Sequence, residues 1–248
     1  MNKILSRCLA AFFILALIGP VIVACGGNIK LVDDWRTADR SSTGIAPDPE
    51  QVREAVVQVY AARAFEWRGI FAVHTWIVTK KADTDHYRVH QVVGFRHYRG
   101  LPALMSERDI PDRSWFGQTG RVLVDLRGPE AEAVIDDIIA AVENYPYRDD
   151  YRVWPGPNSN TFTAWVGREV PQLRLDLPPT AIGKDYLGVS NVFAGAPSGS
   201  GWQVSLLGLA GMTVAREEGL EFNLLTVKFG FHPFKPTLRL PGVGTIGD

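Results

Sequence analysis

The strongest constraint on the fold is a succession of short β-branched and aromatic runs in the first half of this 248-residue chain. Three such runs cover residues 56–60, 71–79 and 87–95. The polar residues 80–85 between the last two runs have the length of a hairpin connection. These runs therefore predict three strands of an antiparallel sheet.

A fourth short strand and two helices are predicted next. Residues 121–126 form another apolar run and precede Pro129, a residue type favoured at the first position of a helix. Apolar residues recur at helical spacing through 129–144. After a proline-braced elbow at 154–160, residues 161–170 have a helical pattern that the following proline ends. The sequence therefore predicts an α+β fold with an antiparallel sheet packed against helices.

The C-terminal part of the chain has a different pattern. Apolar runs at 202–209 and 222–229 flank the polar residues 216–219, which predicts a hairpin. We expect residues 191–248 to form a β-rich C-terminal extension. This extension would belong to the same module as the α+β domain that we assign to residues 51–190.

The N-terminal segment has the pattern of an export signal. Two basic residues, Lys3 and Arg7, precede a strongly apolar stretch at 9–24. The residues that follow, IVACGG at 22–27, resemble a bacterial lipobox. That resemblance implies that the Cys25 thiol is acylated and becomes the new N-terminus.

An uncleaved single-pass anchor is the alternative interpretation of this segment. The apolar run is just long enough to cross a bilayer, although Gly19 and Pro20 weaken it as a helix. With cleavage, residues 1–24 are a signal peptide and the Gly-, Ser- and Pro-rich residues 25–50 are a lipidated tether. Either way we expect a membrane-anchored protein of the bacterial cell envelope, with its body in the periplasm or outside.

Charge and cysteine content exclude two other classes of function. The chain has 26 Lys and Arg against 27 Asp and Glu, a net charge of −1, which lacks the basic field that nucleic-acid binding requires. Both cysteines, Cys8 and Cys25, lie in the first 25 residues. A body that begins near Cys25 therefore has neither a disulfide nor a thiolate metal cluster.

His74 is the first candidate for chemistry. Period-2 alternation places it on an apolar strand face with Trp76, where an imidazole needs a hydrogen-bond partner. A turn centred between residues 82 and 83 would put Gln91 directly opposite, and a one-residue slip would put His90 there instead. The functional interpretation is a general base oriented by an amide, and the alternative is a core histidine with satisfied hydrogen bonds.

Ser159 is the second candidate, because it lies at the predicted start of a helix. Free main-chain N–H groups at a helix N-terminus hold anions, so they would stabilise the oxyanion of an acyl-transfer intermediate. A nearby imidazole would remove the hydroxyl proton. The alternative interpretation is that Ser159 only caps the helix.

These residues together resemble the circularly permuted papain-like proteins, which include lecithin retinol acyltransferase and NlpC-type peptidases. That group has a strand histidine, a polar residue on the next strand, and Asn-Cys-x-Thr-Phe at a helix start. Here NSNTF at 158–162 has serine at the cysteine position. The resemblance implies a permuted papain-like topology with Ser159, His74 and Gln91 as catalytic residues. We assign substrate binding to Asn158, Asn160 and Trp154.

Longer motifs resemble a bacterial envelope family catalogued as domain of unknown function 3750. They are WRTAD at 35–39, AVHTW at 72–76, YRVWPGPNSNTF at 151–162 and LPPTAIGKDY at 177–186. The resemblance covers nearly all of the chain after residue 35. It implies a single recurrent module that includes the C-terminal segment.

Two functions follow as expectations. The first is a serine-type acyl hydrolase or transferase that acts on an amide or ester, with a peptide, glycan or acyl chain as ligand. The second is a catalytically inactive binding or structural module, because a serine hydroxyl needs stronger activation than a thiol. We expect no cofactor, and a hydrated turn explains the cluster of potential metal ligands at Asp83, Asp85, His86 and His90.

Overall fold

A computed structural model of the protein describes residues 3–27 and 29–247 and contains two antiparallel sheets with helices. The helices are α1 (Lys3–Cys25), α2 (Gly94–His97), α3 (Gly128–Glu143) and α4 (Ser159–Glu169). The first sheet contains β1 (Val56–Arg63), β2 (Val73–Lys80), β3 (Arg88–Val92), β4 (Leu104–Arg108) and β5 (Arg121–Arg127), in the order β4-β3-β2-β1-β5. The predicted α+β class is confirmed.

Helices α3 and α4 cover one face of the first sheet. The residues of α3 that recur at helical spacing, from Ala131 through Ile138 to Val142, are buried against the sheet. On α4, Phe162 is fully buried in the same core cluster, which includes Ile77 of β2. The helix start that carries Ser159 is therefore fixed against the sheet by packing.

Loops cover the opposite face of the first sheet. This face presents Tyr60 and Trp76, and residues of the segment predicted as a tether pack on it together with Trp115. The Asp112 carboxylate accepts hydrogen bonds from the Ser42 hydroxyl and from the Ile45 main-chain N–H. From about residue 41 onwards the predicted tether thus lies on the sheet, which is why β1 and β2 are buried on both sides.

The second sheet is formed by the C-terminal residues. It contains β6 (Phe193–Gly195), β7 (Gly201–Leu206), β8 (Ala210–Ala215), β9 (Gly219–Leu224), β10 (Val227–Phe231), β11 (Leu238–Leu240) and β12 (Gly244–Ile246), in sequential order. The β-rich extension is confirmed, and β8 and β9 form a hairpin that turns at the predicted residues 216–218. Two further turns, which were not predicted, interrupt the apolar runs on either side. Leu207 and Gly208, and Leu225 and Thr226, adopt positive φ angles and break each apolar run into a turn.

Charged side chains join the second sheet to the rest of the protein. Lys184 pairs with Glu221 at 2.8 Å, and Lys228 pairs with Asp185 at 3.0 Å. All four side chains are almost completely buried. Lys184 and Asp185 are adjacent in sequence but do not pair with each other. Each of them pairs with a charged residue of the second sheet.

Helix α1 packs against the body of the protein. Gly19 approaches the main chain of Pro241 closely, and Pro20 lies against Gly242, in the turn between β11 and β12. The guanidinium of Arg63 donates to the Gly242 carbonyl oxygen at 2.6 Å and so holds this turn. Across residues 3–27 and 29–247, no helix has both the length and the apolar character required to traverse a bilayer.

Candidate active site

A large cavity connects the candidate residues. Its volume is about 1240 Å³, and its lining combines α1, the start of β2, the start of α4 and the β9–β10 turn. Most lining side chains are aromatic or aliphatic. His74, Asn158, Ser159 and Asn160 supply polar groups to the wall. The predicted base and the predicted nucleophile therefore line one cavity, but they approach it from opposite faces of the first sheet. His74 shares the loop-covered face with Trp76 and Trp115, whereas α4 contacts Thr75 on the other face.

His74 is held in one tautomer by Gln91. Its Nε2 lies 2.9 Å from Gln91 Oε1, and since Oε1 can only accept, Nε2 carries the proton and Nδ1 carries the lone pair. Nδ1 makes no hydrogen bond to the described residues. The ring stacks on Trp115 with centroids 3.5 Å apart, which fixes its orientation.

The pairing of β2 with β3 differs from the prediction by two residues. Ile77 lies opposite His90, so Gln91 faces Trp76 and reaches His74 diagonally. A two-residue shift keeps Gln91 on the same sheet face, and that preserves the interaction. His90 lies on the other face, where its ring bonds Thr79 and Ser106, so the two candidate partners of His74 are resolved in favour of Gln91.

Burial sets the protonation state of the candidate base. It lowers the pKa of His74 to about 4, and the hydrogen bond with Gln91 offsets only part of this effect. The imidazole is therefore neutral at neutral pH. A neutral ring with a free Nδ1 has the form that a general base requires.

Ser159 lies at the first position of α4 and does not cap it. Asn158 is the capping residue: its Oδ1 accepts from the main-chain N–H groups of Asn160 and Thr161. The Thr161 hydroxyl accepts from the Asn158 N–H in return, which completes a capping box. The Ser159 hydroxyl makes no hydrogen bond within residues 3–27 and 29–247, although the residue is only 6% exposed.

The capping arrangement reduces the predicted oxyanion site. Two of the first main-chain N–H groups of α4, those of Asn160 and Thr161, are already bonded to Asn158. The N–H of Ser159 has no such partner among the described residues. It is therefore the helix-terminal donor that remains for an oxyanion.

Asn160 positions the helix start against the strand that carries His74. Its Nδ2 donates to the carbonyl oxygens of Val73 (3.0 Å) and Ile182 (2.7 Å), and its Oδ1 accepts from the Thr75 hydroxyl at 3.0 Å. These contacts hold the two chain neighbours of His74. In the part of the chain described, however, no hydrogen bond links Ser159 to His74.

The predicted substrate-binding residues have different surroundings. The amide groups of Asn158 and Asn160 are used in internal hydrogen bonds, so their contacts are those of positioning residues. Trp154 is half exposed at the cavity mouth, and its Nε1 donates to the Thr226 hydroxyl at 3.0 Å. A substrate-binding role for the three residues stays a prediction.

The grouping of arginines at the cavity lining was not predicted from the sequence. Four of them, Arg36, Arg40, Arg68 and Arg99, line it, and the described lining contains no Asp or Glu. The guanidiniums of Arg36 and Arg99 lie over the rings of Trp35 and Phe95. Their convergence was hidden because Arg36 and Arg40 belong to the segment interpreted as a tether.

The other candidate groups have simple partners. His86 Nδ1 lies 2.8 Å from an Asp85 carboxylate oxygen, and burial lowers the pKa of His90 to about 3. Among the residues described, no three His, Cys, Asp or Glu side chains are grouped so that they could hold a metal ion. Cys25 ends α1 with an exposed free thiol, and its acylation stays a prediction.

Comparison with known proteins assigns the family. No curated protein and no solved structure matches this chain, so the permuted papain-like topology stays a prediction. The family model described as "Protein of unknown function (DUF3750)" matches residues 54–186. This match includes the whole first sheet, α3 and α4, and it ends before the second sheet. Because it covers more than half of the chain, the protein belongs to the DUF3750 family.

Proposed function

We propose that the protein is a serine-type acyl hydrolase or transferase of the cell envelope, with an ester or amide as substrate. The observation that carries this proposal is that the Ser159 hydroxyl and the His74 Nδ1 lack hydrogen bonds within the described residues while both side chains line one cavity. The apolar lining favours an acyl chain over a polar ligand.

The reaction would use these groups in a fixed order. His74 Nδ1 takes the hydroxyl proton as the Ser159 Oγ bonds to the carbonyl carbon of the substrate. The Ser159 N–H donates to the oxyanion that forms. The imidazolium then returns its proton to the leaving group as the carbon–leaving-group bond breaks. Water or an acceptor alcohol or amine releases the acyl group from Ser159 by the same steps in reverse.

Gln91 would orient the base during these steps. Its Oε1 accepts from Nε2 and so keeps the lone pair on Nδ1, the nitrogen that would take the hydroxyl proton. An amide carries no charge, so it stabilises the imidazolium less than a carboxylate would. We therefore expect a slow enzyme whose rate increases when Gln91 is replaced by Glu.

Labelling with a fluorophosphonate tests the proposal. We expect the purified full-length chain to be labelled, and the label to be lost in Ser159→Ala and His74→Ala. Ser190→Ala is the matched control, because Ser190 is an exposed loop serine and its removal leaves the site intact. A wild-type chain that takes up no label would exclude a serine-type mechanism, provided that circular dichroism shows a folded protein.

A binding module without turnover is the second candidate function. Three observations favour it: Ser159 and His74 are not hydrogen-bonded, two α4 N–H groups are engaged by Asn158, and the orienting residue is neutral. In this case a fluorescent fatty acid would bind in the cavity and quench Trp115, with no fluorophosphonate labelling. Binding that is unchanged when Ala72→Trp narrows the cavity would contradict this candidate.

Membrane anchoring through Cys25 is part of the proposal. The accompanying cleavage would remove the α1 side chains from the cavity lining and leave those of His74 and Ser159. The supporting observation is the exposed thiol at the end of α1, after an apolar helix. An alkyne fatty acid fed to bacteria that produce the chain should be incorporated in the wild type and in Cys8→Ser, but not in Cys25→Ser. A wild-type chain without incorporation would favour the single-pass alternative, and incorporation that persists in Cys25→Ser would place the acyl group on another residue.

A further inference from the structure

The outer face of the second sheet is apolar throughout. The strand register brings one set of side chains to this face, which we call the apolar sheet face. Its residues are Phe193, Gly195, Trp202, Val204, Leu206, Ala210, Met212, Val214, Leu220, Phe222, Leu224, Val227, Phe229, Phe231, Leu238 and Ile246. None of these described residues is polar or charged.

The opposite face of the same sheet carries the polar residues. Gln203, Thr213, Glu221 and Arg239 follow one another across the strands, and all are buried against the rest of the protein. A sheet with one solvated face normally has the reverse arrangement. Turning the sheet over would expose the inner face and break the buried ion pairs. These ion pairs therefore fix the orientation in which the apolar face points away from the rest of the protein.

The apolar sheet face is large and uncovered. Phe193, Trp202 and Leu206 expose 63%, 53% and 60% of their surface. Seven strands about 4.8 Å apart and about five residues long give a face of roughly 500 Å² in projection. Monomeric proteins rarely leave a contiguous apolar patch of this size open unless it contacts a partner or a membrane.

A lipid bilayer fits this face better than a protein does. Protein interfaces surround an apolar centre with polar side chains, whereas the described residues of this face include none. Main-chain groups within the sheet are paired with neighbouring strands, so the face can contact hydrocarbon without leaving unpaired polar groups in its interior. Trp202 lies among the face residues and suits the boundary between hydrocarbon and headgroups.

Charges next to the face indicate which lipids it meets. At one end, the β9–β10 turn contributes Leu225 and Thr226 to the cavity lining that contains four arginines and, among described residues, no carboxylate. At the other end Arg216 and Lys235 are exposed, and the Glu217 carboxylate beside them is already paired with Lys235 and Arg174. Both ends thus favour an anionic surface over a neutral one.

From these observations we infer that the apolar sheet face docks onto an anionic lipid bilayer. The contact would be additional to any N-terminal anchor and does not depend on catalysis at Ser159. Because the β9–β10 turn borders both the face and the cavity, docking would place the cavity next to the lipid surface.

A spin label on the face tests the inference in the full chain. In a Cys8→Ser and Cys25→Ser background, Met212→Cys carries the label on the face, and Ala140→Cys, on the exposed side of α3, is the matched control. With vesicles of phosphatidylcholine and phosphatidylglycerol, we expect the label at 212 to become accessible to oxygen and protected from a nickel chelate. The label at 140 should remain accessible to the chelate.

Further variants and lipid compositions distinguish a bilayer from other occupants of the face. Adding Trp202→Glu and Phe222→Glu should abolish the protection at 212, whereas Ala133→Glu and Lys81→Glu, on exposed positions elsewhere, should leave it unchanged. Pure phosphatidylcholine should reduce the protected fraction several-fold, and equal protection would overturn the anionic preference. Protection at 212 that depends on protein concentration and needs no vesicles would assign the face to a second copy and overturn the bilayer.

Discussion

The two sheets of this protein use the same alternation of side chains in opposite ways. In the first sheet, β1 and β2 are buried on both faces, by helices on one side and by loops on the other. In the second sheet the polar row is buried and the apolar row is exposed. The alternation of side chains along a strand therefore shows which residues share a face of the sheet. Which of the two faces is buried depends on the chain segment that packs against the sheet. Here the segment that contains Lys184 and Asp185 selects the charged row.

The largest effect should come from the charges under the second sheet. Lys228→Ala leaves the buried Asp185 without its cation, so we expect a loss of about 3–5 kcal/mol in the free energy of unfolding. Lys235→Ala is the control, because Lys235 pairs with Glu217 at the surface. Urea unfolding measures both. If the two variants were equally stable, the buried charged residues would not stabilise the packing of the second sheet on the rest of the protein.

Apolar truncations should separate the two sheets almost as strongly. Ile77→Ala empties a fully buried site of the first sheet and should cost about 2–5 kcal/mol. Met212→Ala removes a partly exposed side chain from the apolar sheet face and should change stability by less than about 0.5 kcal/mol. Thermal unfolding of the two variants, without lipid, measures this difference. A large loss in Met212→Ala would show that the face is covered in solution.

The pH dependence of stability should report the buried His74 of the first sheet. The folded protein keeps this ring neutral down to about pH 4, whereas the unfolded chain takes up a proton near pH 6.5. The unfolded state therefore binds more protons as the pH falls through this window, and His74 costs about 1.4 kcal/mol per pH unit. Wild type should lose stability more steeply than His74→Gln between pH 6 and pH 4.5, as urea titrations would show.

Other groups titrate identically in both chains, so the difference in slope isolates His74. Parallel curves would mean that folding does not lower the pKa of His74, which would contradict a buried, neutral ring.

The smallest effect should come from the cap of α4. Asn158→Ala removes the acceptor for two main-chain N–H groups and should cost about 1–2 kcal/mol. Asn144→Ala, at the exposed end of α3, should cost less than about 0.5 kcal/mol. Chemical unfolding measures both. Equal costs would contradict a capping role for Asn158.

The sequence was sufficient for much of the first sheet and of the site. Strands β1 to β3 and helices α3 and α4 were predictable because alternation and helical spacing are local signals. The same signal placed His74 and Gln91 on one face, and a two-residue error in register did not separate them.

The remaining features depend on contacts that no local pattern shows. The turns at Leu207 and Leu225 use positive φ angles at leucine, so standard turn signals do not mark them. The cavity joins α1, the segment around Arg36 and the β9–β10 turn, which are distant in sequence. Nothing in the alternation of the second sheet indicates that its polar row is the buried one.

The central claim is that Ser159 and His74 act in one cavity, and the reactivity of a cysteine at position 159 tests it most directly. A thiol beside an imidazole and a helix N-terminus should have a lowered pKa. We expect Ser159→Cys, in a Cys8→Ser and Cys25→Ser background, to react with iodoacetamide several-fold faster than free cysteine, and His74→Phe to remove this advantage. An alkylation rate equal to that of free cysteine, unchanged by His74→Phe, would contradict the claim.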